Sequence, residues 1–237
     1  FGYHSNRVLL SSNTLRKKLK KINFETYKKS DVLKPTFSNL PIKSFKSIEY
    51  IKKKFNIKGN YFFLPNHFWT HKNHILVLQS LIELKKKKKL KNIQIVCTGL
   101  FNDYRNPNHK NKIIEYIKIN RLENNFIILG IVNFDELMSL MKFSVAVINP
   151  SKSEGWSSTV EQAKSMGKFV LLSNLPVHKE QNPDRSFFFG VNDYLILSKK
   201  LYFLNKKFSF KHDLLFMKKA FEQTIEKKKN YILNYEK

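Results

Sequence analysis

The chain is short of several things at once, and each shortage closes off a class of protein. It holds one cysteine, Cys97, among 237 residues, so no internal disulfide can form, which suits a reducing compartment. Set in "IQIVCTG", that cysteine reads as a core residue. Long apolar runs are missing: "YFFLP", "IQIVCTGLF" and "SVAVINP" all fall well short of the roughly 20 residues that cross a bilayer. No basic, apolar, small-residue leader follows Phe1, and the chain is expected to start inside a longer protein. Acidic residues number 18 against 44 Lys+Arg, a net charge of +26. An excess of that size ordinarily points to nucleic acid or an anionic membrane. Arginine, however, supplies five of the 44 cations (Arg7, Arg16, Arg105, Arg121, Arg185), whereas base-edge and phosphate readers favour its bidentate fork. Lysine is abundant together with Asn, Ile, Phe and Tyr, residues with A/T-rich codons, so a low-GC genome accounts for much of the excess. The expectation is a cytoplasmic protein with no nucleic-acid partner. Peripheral association with the inner face of an anionic membrane stays open, at about 1 kcal/mol per lysine near the leaflet.

What is present is a globular chain, 42% hydrophobic, long enough to bury a core. Val8–Leu10 reads as a strand and the segment from Asn13 as a helix capped by Ser12. Residues 23–48 carry Pro35 and Pro41 and no sustained period, as a connector would. From Asn60 apolar runs at Tyr61–Leu64, Ile93–Thr98, Phe126–Leu129, Val145–Asn149 and Phe169–Ser173 alternate with helical patterns at Ile75–Leu84, Lys112–Ile119, Phe134–Met141, Thr159–Met166 and Asp193–Leu204. Short apolar strands alternating with helices predict an α/β domain, a Rossmann-like doubly wound parallel sheet covered on both faces. An amphipathic helix over Asp213–Lys229 is expected to dock on it. There are no internal repeats. The run Lys85–Lys89 lies at a helix C-terminus, where cations suit the dipole and face solvent.

In an open parallel sheet ligands bind beyond the carboxyl ends of the strands, which directs attention to two strand-to-helix loops. The first, "PNHFWTHKNH", delivers Lys72 just before a helix, where a lysine beside free backbone N–H groups can hold a phosphate. Its His67, His71 and His74 lack a nearby Cys or carboxylate to complete a ligand set, so no metal is expected. The second loop, "NPSKSEGWSSTVEQAKSMGK", sets one carboxylate, Glu154, at a turn of a strongly basic chain. Gly155 lets the backbone approach a ligand, and the N–H groups of Trp156, Ser157, Ser158 and Thr159 open a helix that can bind an anion. An ionised Glu154 accepts only. Phosphate donors beside a hydroxyl-binding carboxylate suit a sugar on a diphosphate.

"PSKSEGWSSTVEQAKSMGK" and the following "VLLSNLPVHKEQNP", with the earlier "FFLPNHFWTHKNH" and "IVCTG", resemble the C-terminal, donor-binding half of group 1 (family 4) retaining glycosyltransferases of the GT-B fold. The resemblance runs from about Asn60 to Leu204. It implies a hexosyltransferase-type enzyme taking a nucleoside-diphosphate sugar as donor, with no cofactor, and a saccharide or lipid-linked acceptor, as in polysaccharide biosynthesis. It also implies that residues 1–48 are the end of the N-terminal acceptor domain plus a linker, that residues 49–237 are the nucleotide-sugar domain with a C-terminal helix, and that the chain is a fragment. By resemblance Glu154 contacts the donor sugar's hydroxyls and Lys72 the diphosphate. His67 stands where the family often has arginine, and Gly130 where a loop meets the nucleobase. The family's second glutamate, which holds the ribose hydroxyls, is here Gln162; Glu161, next to it, points about 100° away on a helix. His178 and Glu180 fall on the next carboxyl-end loop. Two rival readings are a degenerate module that binds nucleotide sugars without transfer, and a basic nucleic-acid or membrane-surface binder.

Overall fold

The computed structural model describes residues 5–37 and 44–235, with side chains up to residue 223, so Pro41 lies outside the described residues. The chain opens with strand β1 (Val8–Leu10), helices α1 (Asn13–Ile22) and α2 (Phe24–Lys28), and strand β2 (Ser30–Val32). Strands β1 and β2 pair in parallel, Val8 opposite Ser30. Ser12 caps α1, its Oγ accepting from Leu15 N at 3.1 Å. The stretch read from sequence as a plain connector therefore contains a helix and a strand. Neither leaves a periodic signal, because "SDV" is three residues long and one-sided in its pairing.

Helix α3 (Ile48–Lys54) leads into a six-stranded sheet. Its strands are β3 (Tyr61–Pro65), β4 (Gln94–Thr98), β5 (Phe126–Ile128), β6 (Val147–Asn149), β7 (Val170–Ser173) and β8 (Ser186–Phe189). Between them run α4 (His74–Lys86), α5 (His109–Ile119), α6 (Phe134–Phe143), α7 (Ser158–Ser165) and α8 (Pro176–Gln181), with α9 (Tyr194–Lys207) and α10 (Phe210–Tyr235) after the sheet. All neighbouring strands are parallel, in the order β5-β4-β3-β6-β7-β8. Strand alternation sorts the core into two layers. Phe62 and Leu64 face one layer with Leu78, Leu81 and Ile148. Tyr61 and Phe63 face the other with Met138, Val147, Val160 and Val170. Burial on both faces explains why the strands read as continuous apolar runs. Strand β8 and helix α8 were not legible as elements.

The C-terminal helix docks through charge as well as apolar contact. Lys168 is fully buried, its Nζ donating to the Ser144 carbonyl at 2.6 Å and bonded to the Asp213 carboxylate. Arg185 reaches the other oxygen of Asp213 at 2.6 Å and lies over the Phe216 ring. Burial pushes the Lys168 ammonium down, and Asp213 opposes that shift. Gly167, at φ +63, places its backbone so close to the Phe216 carbonyl that a Cβ there would collide with it.

Candidate active site

Strand order reverses between β3 and β6, which pair at Phe63 and Val147. The two loops that leave their carboxyl ends, residues 66–73 and 150–157, are therefore neighbours at the switch point of the sheet, where open α/β sheets bind ligands. Backbone and side-chain bonds stitch them together. Lys152 N donates to the His71 carbonyl at 2.7 Å. Asn73, in the left-handed region at φ 60, sends its Nδ2 to the Pro150 carbonyl at 3.1 Å. Thr159 Oγ1 donates to the Pro65 carbonyl at 3.3 Å. The loop after β4 closes in from the other side: Gly99, at φ +126, lies so near Asn66 and His67 that a Cβ would sit 2.8 Å from their backbone atoms.

These loops enclose a cleft of about 440 Å³, and Lys72 and Glu154 meet in its wall at 2.6 Å. Their side chains are 13% and 8% exposed. Ser151 Oγ donates to the same Glu154 oxygen at 2.7 Å. The carboxylate set at this turn of so basic a chain is thus the partner of the lysine that sequence singled out in the first loop. Of the other predicted residues, His67, Trp156, Ser157, Ser158 and Thr159 also line the cleft. Gly130 does not, though the next two residues, Ile131 and Val132, do; its carbonyl accepts from Gly99 N at 2.8 Å. Gly155 lies behind the wall, its carbonyl held by Ser12 Oγ at 3.1 Å. Gln162 is half-buried one turn after Ser158 and is not part of the lining.

The amides of the second loop are not equivalent. Ser157 is the N-cap of α7, its Oγ accepting from Val160 N at 3.4 Å and from Asn149 Nδ2 at 2.6 Å. Its own N–H turns to Gln181 Oε1 at 3.3 Å, so it is spent within the fold. No described residue accepts from the N–H groups of Ser158 and Thr159, which leaves them as the helix-end donors beside Lys72. Gln181, which sequence reasoning missed, grips the loop at two points and the helix after it at a third. Besides Ser157 N, its Nε2 donates to Ser157 O and to Glu161 Oε1, both at 2.9 Å. Glu161 pairs with Lys164 at 3.1 Å and, like Gln162, is absent from the cleft lining.

The histidines take different parts. His67 Nδ1 accepts from Leu100 N at 2.9 Å, so a neutral ring carries its proton on Nε2. Burial and then the Lys72 charge lower its pKa, keeping the ring neutral at pH 7. His74 is fully buried and stacked on Phe68, and burial drives its pKa to about 3. His74 is therefore a core ring, and among the described residues no three or more His, Cys, Asp and Glu side chains are grouped so as to hold a metal ion. Asp103, also missed, fixes the first loop: its Oδ2 accepts from Thr70 N at 2.8 Å and Thr70 Oγ1 at 2.9 Å. His178 and Glu180 stand on α8, not on a loop, and neither lines the cleft. His178 is buried, with Nδ1 on the Ser173 carbonyl at 2.8 Å, and burial lowers its pKa.

Residues 47–206 match the family described as "Glycosyl transferases group 1". The chain belongs to that family. Among solved structures, a glycosyltransferase from Rickettsia africae ESF-5 superimposes with a TM-score of 0.72 at 20% identity, over 93% of this chain and 59% of that one. Anabaena Alr3699/HepE in complex with UDP and glucose gives 0.75 at 13% identity, over 95% and 60%. A variant of S. aureus TarM, solved with Fondaparinux, alpha-GlcNAc-glycerol and UDP, gives 0.73 at 14%, over 99% and 44%. No curated protein sequence matches. At these identities the likeness is one of fold, a parallel α/β sheet of the GT-B glycosyltransferase kind, and the chain spans less than two thirds of each of these structures. Among the described residues no helix is long and apolar enough to cross a membrane.

Proposed function

We propose that this chain is the donor-binding part of a retaining, family 4 glycosyltransferase that moves a sugar from a nucleoside-diphosphate sugar to a saccharide or lipid-linked acceptor. The observation that carries the reading is the Lys72–Glu154 pair, set beside the open amides of Ser158 and Thr159 at the switch point of the sheet. An incoming diphosphate draws Lys72 off the carboxylate and takes the helix-end N–H groups as donors. Glu154 is then an acceptor for sugar hydroxyls. As the bond from sugar to diphosphate breaks, negative charge grows on the leaving oxygen, and Lys72 with those amides stabilises it electrostatically. The apolar end of the cleft, Ile131, Val132 and Leu137, suits a nucleobase. UDP held by HepE and by the TarM variant supports the choice of UDP as the first probe.

The test is calorimetric titration with UDP. Lys72→Ala should weaken binding by about 1.5–3 kcal/mol, the range of a hydrogen bond to a charged group. Changing all five of Lys85–Lys89 to Ser should leave it nearly unchanged. That run starts at the far end of the 13-residue α4, about 20 Å from Lys72 at 1.5 Å per residue, and Lys85 is spent on the Asn120 carbonyl at 2.6 Å. If the five-lysine variant loses UDP and Lys72→Ala keeps it, diffuse charge was the attraction and the reading is wrong.

A further inference from the structure

One short helix carries two grips. Glu180, near the end of α8, sends its carboxylate to the N-terminus of α1. It accepts from Asn13 N at 2.8 Å, Thr14 N at 2.9 Å and Thr14 Oγ1 at 2.8 Å. The ammonium of Lys34 stands 3.2 Å away. The adjacent residue, Gln181, holds both the N–H and the carbonyl of Ser157, the N-cap of the donor-loop helix. The same N-terminal unit also touches that loop directly. Ser12 Oγ donates to the Gly155 carbonyl at 3.1 Å, Trp156 Nε1 donates to the Pro35 carbonyl at 3.0 Å, and Leu15 packs where a Gly155 Cβ would point. A displacement of the N-terminal unit therefore acts on residues 155–157 by two routes, directly through Gly155 and Trp156 and, from α1, through α8.

We propose that Glu180 is a positioning residue, a latch that couples docking of the N-terminal unit to the conformation of the donor loop and so to nucleotide affinity. The nucleotide half of this statement rests on the reading of the cleft given above. Coupling of this kind is reciprocal: if latching tightens the nucleotide, the nucleotide tightens the latch by the same factor. Glu180 touches neither the cleft nor its contents, so its effect must pass through the loop.

The experiment measures amide hydrogen exchange along the whole chain, with and without UDP, in the wild type, Glu180→Ala and the isosteric Glu180→Gln. Without UDP, Glu180→Ala should speed exchange at residues 154–160 as well as at 12–16, and Glu180→Gln should do so less. UDP affinity should fall about tenfold in Glu180→Ala, in the ordinary range of site-to-site coupling. UDP should in turn slow exchange at Asn13 and Thr14 in the wild type. Release of residues 12–16 with residues 154–160 and UDP affinity unchanged overturns the latch. If the wild type binds no UDP, the donor reading fails by itself, and exchange at 154–160 in the variants still decides the latch. Should Glu180→Ala fail to fold, Glu180→Gln carries the same test with the smaller expected effects.

Discussion

Glu154 and Glu180 are two carboxylates of nearly equal burial, with side chains 8% and 12% exposed, and they do opposite things. Glu180 is saturated: two backbone N–H groups, a hydroxyl and a lysine surround it. Glu154 offers one oxygen to Lys72 and Ser151, and no described residue donates to the other. One is a cap and the other faces a cleft. Burial alone does not sort an acid that ties the fold together from one that faces the cleft; the identity of its donors does. Helix-end N–H groups belong to the fold and stay, while a lysine on a flexible stem in the cleft wall can change partners.

A third carboxylate sets the scale for the structural class. Asp213 serves a fully buried Lys168 and a partly buried Arg185. Asp213→Ala leaves the Lys168 ammonium with only carbonyl partners, and unfolding in urea should show a loss of about 3–5 kcal/mol. Lys168→Met added to it should restore much of that loss, because the uncompensated charge is then gone. A loss below about 1 kcal/mol for the single change would mean that this pair is not the anchor of α10, and sorting carboxylates by their donors would lose its calibration.

The split between the two glutamates also marks how far sequence reasoning reached. The apolar runs read at 61–64, 93–98 and 169–173, which became strands at 61–65, 94–98 and 170–173, declared themselves because both faces of a parallel sheet are buried. The switch point then followed from topology, and with it most of the cleft. Glu154 and Lys72 were legible through the loops that carry them. Glu180 was noticed on a carboxyl-end loop, but its role as a cap of α1 was not legible, since its partners lie 166 and 167 residues away and no local pattern announces them. Gln181 and Asp103 were silent for the same reason: each holds a loop from a different element. His74 looked like a loop residue beside His71, but its ring packs on Phe68 and becomes core. The three-residue β2 owes its form to pairing with β1 and not to its own "SDV".

Acid sharpens the comparison next. Burial by itself would raise the Glu180 pKa, but the N–H donors of Asn13 and Thr14 outweigh it and bring the group from 4.5 down to about 2. A carboxylate lowered in the folded state stabilises the fold above its unfolded pKa and loses that contribution as pH falls toward the folded value. With solvent screening allowed for, the contribution is on the order of 1–2 kcal/mol at neutral pH. Wild type and Glu180→Gln should therefore differ most at pH 6–7, and the gap should close between about pH 4.5 and 2. A gap that stays constant across that window would show that the carboxylate charge does not hold α1.

The smallest effect is expected at Gln162, and it probes the cleft side of the comparison. Ser158, four residues earlier, lines the cleft, and positions four apart share a helix face. Gln162 is thus on the cleft-facing stripe of α7 but one turn deeper along the helix. By the family resemblance it stands where a glutamate holds the ribose. A glutamine there accepts through one oxygen without charge, so Gln162→Glu should make that bond charge-assisted and tighten UDP by on the order of 1 kcal/mol. Two features of the site modify the figure. The added charge falls in the first turns of α7, whose N-terminal dipole favours it, while Glu161 beside it repels it and is itself neutralised by Lys164 at 3.1 Å. Calorimetry with UDP and with uridine reads the outcome, because both ligands present the ribose and only UDP carries phosphate. Equal tightening of the two places residue 162 at the ribose. Tightening for neither, with the melting temperature unchanged, would leave Gln162 as a helix-surface residue and Glu154 as the carboxylate of the cleft wall still to be tested against a ligand.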